Sequence, residues 1–140
     1  MIRIVLADDH HQVREIWRRV LSANDNFEVV SICRNGQEAI DAAASETPDV
    51  VLMDINMHPV NGIEATIAIS NTHPHVKVIG MSIHTDELYV KGMLQAGAHG
   101  YITKNTDYEE MFECIIQVNA GKYYVCNEVR KKIPGLLAIS

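Results

Sequence analysis

Short apolar runs recur along the chain, at residues 2–7, 27–33, 50–53, 76–81 and 100–103. Runs of four to seven residues without strict alternation are the pattern of strands buried on both faces of a parallel sheet. Between them, apolar residues return at helical spacing. Val13, Trp17, Val20 and Leu21 form one such stripe, and Ala39, Ile40 and Ala43 form another. Ile63, Ile67 and Ser70, then Leu88, Met93 and Leu94, then Met111, Ile115 and Val118 continue it. Trp17 and Met111 lie on these stripes and are expected in the core. Strand and helix alternate, which predicts an α/β fold: one doubly wound, five-stranded parallel sheet with helices on both faces.

Punctuation agrees with this division. Asn35-Gly36 opens a helix, Thr47-Pro48 and His73-Pro74 precede the third and fourth runs, and Ala96-Gly97 closes the helix before the fifth. Asp86 and Thr106 are expected as N-caps. The rhythm stops after Gly121. Residues 1–121 read as one domain, and residues 122–140 as a C-terminal tail or linker rather than a sixth βα unit.

The polar residues that end the apolar runs carry the candidate chemistry. Asp8 and Asp9 close the first run, Asp54 the third; Ser82 follows the fourth and Lys104 the fifth. In the flavodoxin-like order 2-1-3-4-5, the crevice opens between strands 1 and 3, at their carboxyl ends. Three carboxylates, a hydroxyl and an ammonium then meet at one sheet edge. Carboxylates so gathered repel, and coexist only with a divalent cation, a lysine or raised pKa values. Mg²⁺ suits a small, partly hydrated oxygen site. Lys104 offers a point charge for a phosphoryl oxygen, Ser82 a hydrogen-bond donor, and Asp54 a nucleophile able to form an acyl phosphate. Positioning and charge neutralisation suffice for such a transfer.

Composition narrows the classes. Apolar residues make up 47% of the 140, charged residues 21%, and the net charge is −6. An acidic chain is a poor ligand for nucleic acid by itself. Cys33, Cys114 and Cys126 are too few and too irregular for a disulfide framework or a zinc site, which points to reduced thiols in a cytoplasm. No stretch approaches the roughly 20 apolar residues of a membrane span. The chain opens directly on a strand pattern, so no signal peptide is expected.

The segments Val5-Leu6-Ala7-Asp8-Asp9-His10, Val51-Leu52-Met53-Asp54-Ile55-Asn56-Met57 with Gly62, Met81-Ser82-Ile83-His84 and Ala96-Gly97-Ala98-His99-Gly100-Tyr101-Ile102-Thr103-Lys104 resemble the CheY-like receiver domain of two-component response regulators. The Ala-Asp-Asp-His opening, Ser-Ile-His and Gly121-Lys122-Tyr123-Tyr124 look most like its NarL/FixJ branch. The resemblance implies that Asp54 accepts phosphate from a sensor histidine kinase and that Asp8, Asp9, Asp54 and the backbone carbonyl of Asn56 hold Mg²⁺. It implies that Lys104 and Ser82 contact the phosphoryl group and that Ser82 and Tyr101 form the switch. Asn56 and His84 stand where the family tunes the lifetime of the aspartyl phosphate, and equally read as exposed loop residues.

The resemblance further implies a signalling domain rather than an enzyme with a separate substrate. Such domains often dimerise on phosphorylation, and this branch reaches DNA through a helix-turn-helix domain for which residues 122–140 leave no room. A standalone receiver in a phosphorelay is the alternative.

Three departures stand out. His58, followed by Pro59, holds a place often taken by proline; Asn105 follows the lysine where many receivers have proline; His11 replaces another common proline. His10 and His11 read as polar residues at a helix start rather than as a transition-metal site. A haloacid-dehalogenase-type phosphatase would need an acid where Asn56 stands. A flavin carrier would need a phosphate-cradling loop where Asp8 and Asp9 stand.

Overall fold

The computed structural model describes residues 1–136. Strands β1 (Ile2–Ala7), β2 (Phe27–Cys33), β3 (Val50–Asp54), β4 (Lys77–Ser82) and β5 (Gly100–Thr103) alternate with helices α1 (His11–Ser22), α2 (Gly36–Glu46), α3 (Gly62–Thr72), α4 (Glu87–Gln95) and α5 (Tyr108–Asn119). The sheet is parallel and carries a sixth strand, β6 (Tyr124–Val125), followed by a short helix α6 (Asn127–Lys132). Its order is β2-β1-β3-β4-β5-β6.

The expected five-stranded sheet is thus corrected to six. β6 has two residues, too few for any apolar period to register. It docks because Tyr124 N–H donates to His99 O (2.9 Å) and Cys126 N–H to Tyr101 O (3.0 Å), which satisfies the open edge of β5. Val125, Cys126 and Val129 are fully buried and Leu136 is 5% exposed, so this part of the segment read from sequence as tail or linker packs against the sheet. Residues 137–140 of that segment lie outside the described residues.

Every residue of β3 is buried, as the central strand of a two-faced sheet requires. Helices α2, α3 and α4 pack in succession, while Trp17 of α1 meets Tyr108 of α5 edge to face. Trp17 and Met111 are buried as expected. Asn35 caps α2 by accepting from Glu38 N–H, and Asn61 forms a reciprocal capping box with Glu64 at α3. Thr106 does not cap α5: Asp107 does, accepting from Glu110 N–H, while Thr106 Oγ1 accepts from Thr103 N–H. Asp86 occupies the N-cap position of α4 without a side-chain bond.

Gly62 has a reason beyond flexibility. A Cβ there would run into the Asp54 carbonyl oxygen, and Gly62 N–H donates to Ile55 O (2.8 Å). The first turn of α3 therefore lies directly against the end of β3. The register does the rest: Ala7 faces Met53, Asp54 faces Met81 and Ser82 faces Thr103, so four strand tips finish on one level.

Candidate functional site

At that level the sheet gathers its charges. Asp8 follows β1 and is fully buried, Asp54 ends β3 and is 1% exposed, and Ser82 ends β4 at 1%. Lys104, one residue past β5, extends its ammonium between the two buried carboxylates. Nζ lies 3.0 Å from Asp8 Oδ2 and 3.5 Å from Asp54 Oδ2. Asp9 is turned more toward solvent. The carboxylates of Asp8, Asp9 and Asp54 and the ring of His10 bring ligand atoms within 4.8 Å of one another.

Burial of these groups is electrostatically unfavourable unless they are paired. Asp54 shows the imbalance. Desolvation, reinforced by the Asp8 carboxylate, pushes its carboxyl up to about 6, against the opposing attraction of Lys104. Asp8 Oδ2 and Asp54 Oδ2 are buried and lack a hydrogen-bond partner; only the Lys104 ammonium lies beside them. One lysine against three acids leaves net negative charge among carboxylates whose oxygens come within 4.8 Å of one another. This donor set of carboxylate oxygens fits a hard divalent cation such as Mg²⁺.

The surrounding hydrogen bonds fix the frame. Asp8 Oδ1 accepts from His10 N–H (2.8 Å), and Arg14 Nη1 donates to the Asp8 carbonyl (2.8 Å). Asn56 N–H points at Asp54 Oδ1 from 3.4 Å, and Asn56 itself is exposed. Ser82 Oγ accepts from His84 N–H (3.1 Å). The Tyr101 hydroxyl donates to His84 O (2.7 Å), and its ring is fully buried. Burial pushes that phenol up to about 12, so it stays a donor at neutral pH. His84 is stacked on Tyr89, with centroids 4.1 Å apart. The one cis peptide among the described residues is His58–Pro59; the Lys104–Asn105 bond is not cis.

The structure therefore brings together Asp8, Asp9, Asp54 and Lys104, with Asn56 alongside. It connects Ser82 to Tyr101 through the His84 backbone rather than directly to Asp54. Two residues of this frame were not singled out from sequence for these roles. Arg14 braces Asp8 from the first turn of α1. His10 sits at the N-cap position of that helix without capping it, its ring against Asp8 and Asp9. The only sequence signal for either is proximity to the acidic pair.

A doubly wound parallel sheet with an acidic nest and a lysine at its carboxyl edge defines a class. The family model described as the response regulator receiver domain matches residues 4–116, and the chain belongs to that family. The transcriptional regulatory protein DegU of Brevibacillus brevis is 43% identical over 124 residues, 89% of this chain and 52% of that protein. The response regulator GacA of Pseudomonas viridiflava is 36% identical over 133 residues, 95% of this chain and 62% of that protein. The crystal structure of a LuxR-family two-component response regulator from Aurantimonas sp. SI85-9A1 superposes with a TM-score of 0.92 at 30% identity, covering 99% of each chain. The chain thus spans between half and two thirds of the length of these two curated relatives. No helix among the described residues is long and apolar enough to cross a membrane.

Proposed function

We propose that Asp54 is the phosphoacceptor of this receiver domain. An oxygen of its carboxylate attacks the phosphorus of a phosphohistidine on a sensor histidine kinase. The P–O bond forms as the P–N bond breaks, and the electron pair returns to the imidazole. Asp8, Asp9 and Asp54, with the Asn56 carbonyl, would hold Mg²⁺, which supplies charge neutralisation when bound. Lys104 pairs with the phosphoryl oxygens, and transfer needs no separate base because Asp54 is ionised above its raised pKa. The domain catalyses only its own modification and its reversal. It is not an enzyme acting on a separate substrate.

The observation that carries this reading is the Lys104 ammonium held between two buried carboxylates, with an oxygen of each facing it and otherwise without a hydrogen-bond partner. The switch follows from the same frame. Ser82 drawn toward a phosphoryl oxygen pulls on the His84 backbone, whose carbonyl holds the Tyr101 hydroxyl, so the phosphorylated state favours a different arrangement of that loop. Asn56 and His84, beside the acceptor and the serine, set how readily water reaches the acyl phosphate.

In the whole protein we place this switch ahead of a DNA-binding output that controls transcription, with dimerisation on phosphorylation. The runner-up is a standalone phosphorelay receiver. A cytoplasmic site agrees with three free, buried cysteines. Residues 1–121 are the receiver proper in this reading, and residues 122–140 lead from it toward the output. Incubation with phosphoramidate and Mg²⁺ should add one phosphoryl group per chain, and Asp54→Asn should add none. A stable adduct at the same site in Asp54→Asn would overturn the assignment.

A further inference from the structure

His10 is the residue at this site that the functional reading leaves unused. Its Nδ1 lies 3.0 Å from Asp8 Oδ1 and 2.9 Å from Asp9 Oδ1. Asp8 Oδ1 is already engaged by the His10 backbone N–H at 2.8 Å. A neutral imidazole carries one hydrogen, so Nδ1 meets two carboxylate oxygens with one proton or none. When the hydrogen is on Nε2, the Nδ1 lone pair faces one carboxylate oxygen of Asp8 and one of Asp9, each at about 3 Å. Adjacent ligands about 2.1 Å from a six-coordinate ion sit roughly 3 Å apart, the same spacing. Beside this trio, Asp8 Oδ2 and Asp54 Oδ2 are buried without a hydrogen-bond partner, and the single Lys104 ammonium beside them leaves the three carboxylates short of positive charge.

We propose that His10 is an additional ligand of the acidic nest through Nδ1, and that it biases the site toward first-row transition ions over Mg²⁺. This rests on the reading of the nest as a metal site and concerns which ion it selects. The chemistry is direct: imidazole nitrogen adds little for Mg²⁺, which prefers oxygen and retained water. It adds progressively more along the series Mn²⁺ to Co²⁺ to Ni²⁺. His10 is 62% exposed at its side chain, so the ring is free to take its place without repacking the core. A ligand set of imidazole and carboxylates is one that either class of ion can occupy, and His10 decides the ratio.

The test is calorimetric titration of the full chain with Mg²⁺ and, separately, with Co²⁺, for the wild type and His10→Ala. The expected result is a ratio of Co²⁺ to Mg²⁺ affinity that falls by roughly tenfold or more in the variant, the range seen when a group supporting a metal site is removed. A second readout does not depend on the variant. With isotope-labelled histidine, Co²⁺ should shift and broaden His10 resonances at the lowest metal concentrations, ahead of the other six of the seven histidines. An unchanged ratio, or a Mg²⁺ affinity that rises in His10→Ala by as much as that for Co²⁺, would mean that the ring competes with metal rather than binding it, and would overturn the proposal. If the wild type binds Co²⁺ with His10 unmoved while Mg²⁺ binds normally, only the role of His10 fails. If neither ion binds, the metal-site reading fails with it.

Discussion

Lys104 Nζ stands 3.0 Å from Asp8 Oδ2, closer than to Asp54. The lysine is therefore anchored mainly by the first strand's acid, and its attraction compensates Asp54 incompletely. Desolvation, reinforced by the Asp8 carboxylate, then leaves Asp54 with a pKa raised to about 6 from an ordinary value near 3.8. A carboxylate raised in the folded state binds a proton more readily there than in the unfolded chain. Its contribution to stability is thus favourable at low pH and is lost as pH rises through about 6. Without divalent cation, Asp54→Asn should raise thermal stability at pH 7.5 by up to about 3 kcal/mol, and by little near pH 4 where the wild-type group is neutral. Melting curves at the two pH values check this. Equal effects at both would show that charge repulsion at Asp54 is not the cause.

Gly62 is held against the Asp54 carbonyl, with no room for a Cβ. Gly62→Ala should destabilise the domain by roughly 1–3 kcal/mol through backbone displacement, a small-to-large change at a packed position. Because the displaced backbone carries Asp54, phosphoramidate labelling should slow as well. Denaturant titration paired with a labelling time course reads both. A variant of wild-type stability and labelling rate would contradict the close approach.

The Tyr101 hydroxyl ties that side chain to the loop beyond β4, through His84 O. Tyr101→Phe keeps the buried ring and should lose about 0.5–1.5 kcal/mol. Proton NMR should show its chief shifts at Ile83, His84 and Thr85 rather than in β5. Shifts confined to β5 would separate Tyr101 from the switch loop.

Removing residues 122–140 deletes β6 and α6 and uncovers the edge of β5. Val125, Cys126 and Val129 contribute buried apolar surface, and burying one such side chain is worth about 1.5–3 kcal/mol. Truncation after Gly121 should lower stability by several kcal/mol, read by denaturant midpoint, where a detached linker would leave it unchanged.

How much of this was legible in the sequence depends on the length of each signal. β1 to β5 announced themselves because each is a run of four or more mostly apolar residues. β6 did not, because two residues define no period, although Tyr123-Tyr124-Val125 has strand-forming composition. The N-cap of α5 was expected one residue early: Thr106 and Asp107 are both capping types, and only geometry shows that Thr106 is taken by Thr103. The meeting of Asp8, Asp54 and Lys104 was legible because strand tips carry them and parallel topology places those tips together. The brace from Arg14 and the ring of His10 were not, since side-chain direction across a strand-to-helix turn leaves no mark on apolar spacing.

The most direct test of the central claim is to locate the phosphoryl group itself. The full chain is phosphorylated with phosphoramidate and Mg²⁺, the acyl phosphate is reduced with borohydride, and the peptides are sequenced by mass spectrometry. Conversion of Asp54 to homoserine, dependent on Mg²⁺ and lost in Lys104→Ala, is the predicted result. Reduction at a different carboxylate, or phosphate found on a histidine with Asp54 untouched, would contradict it.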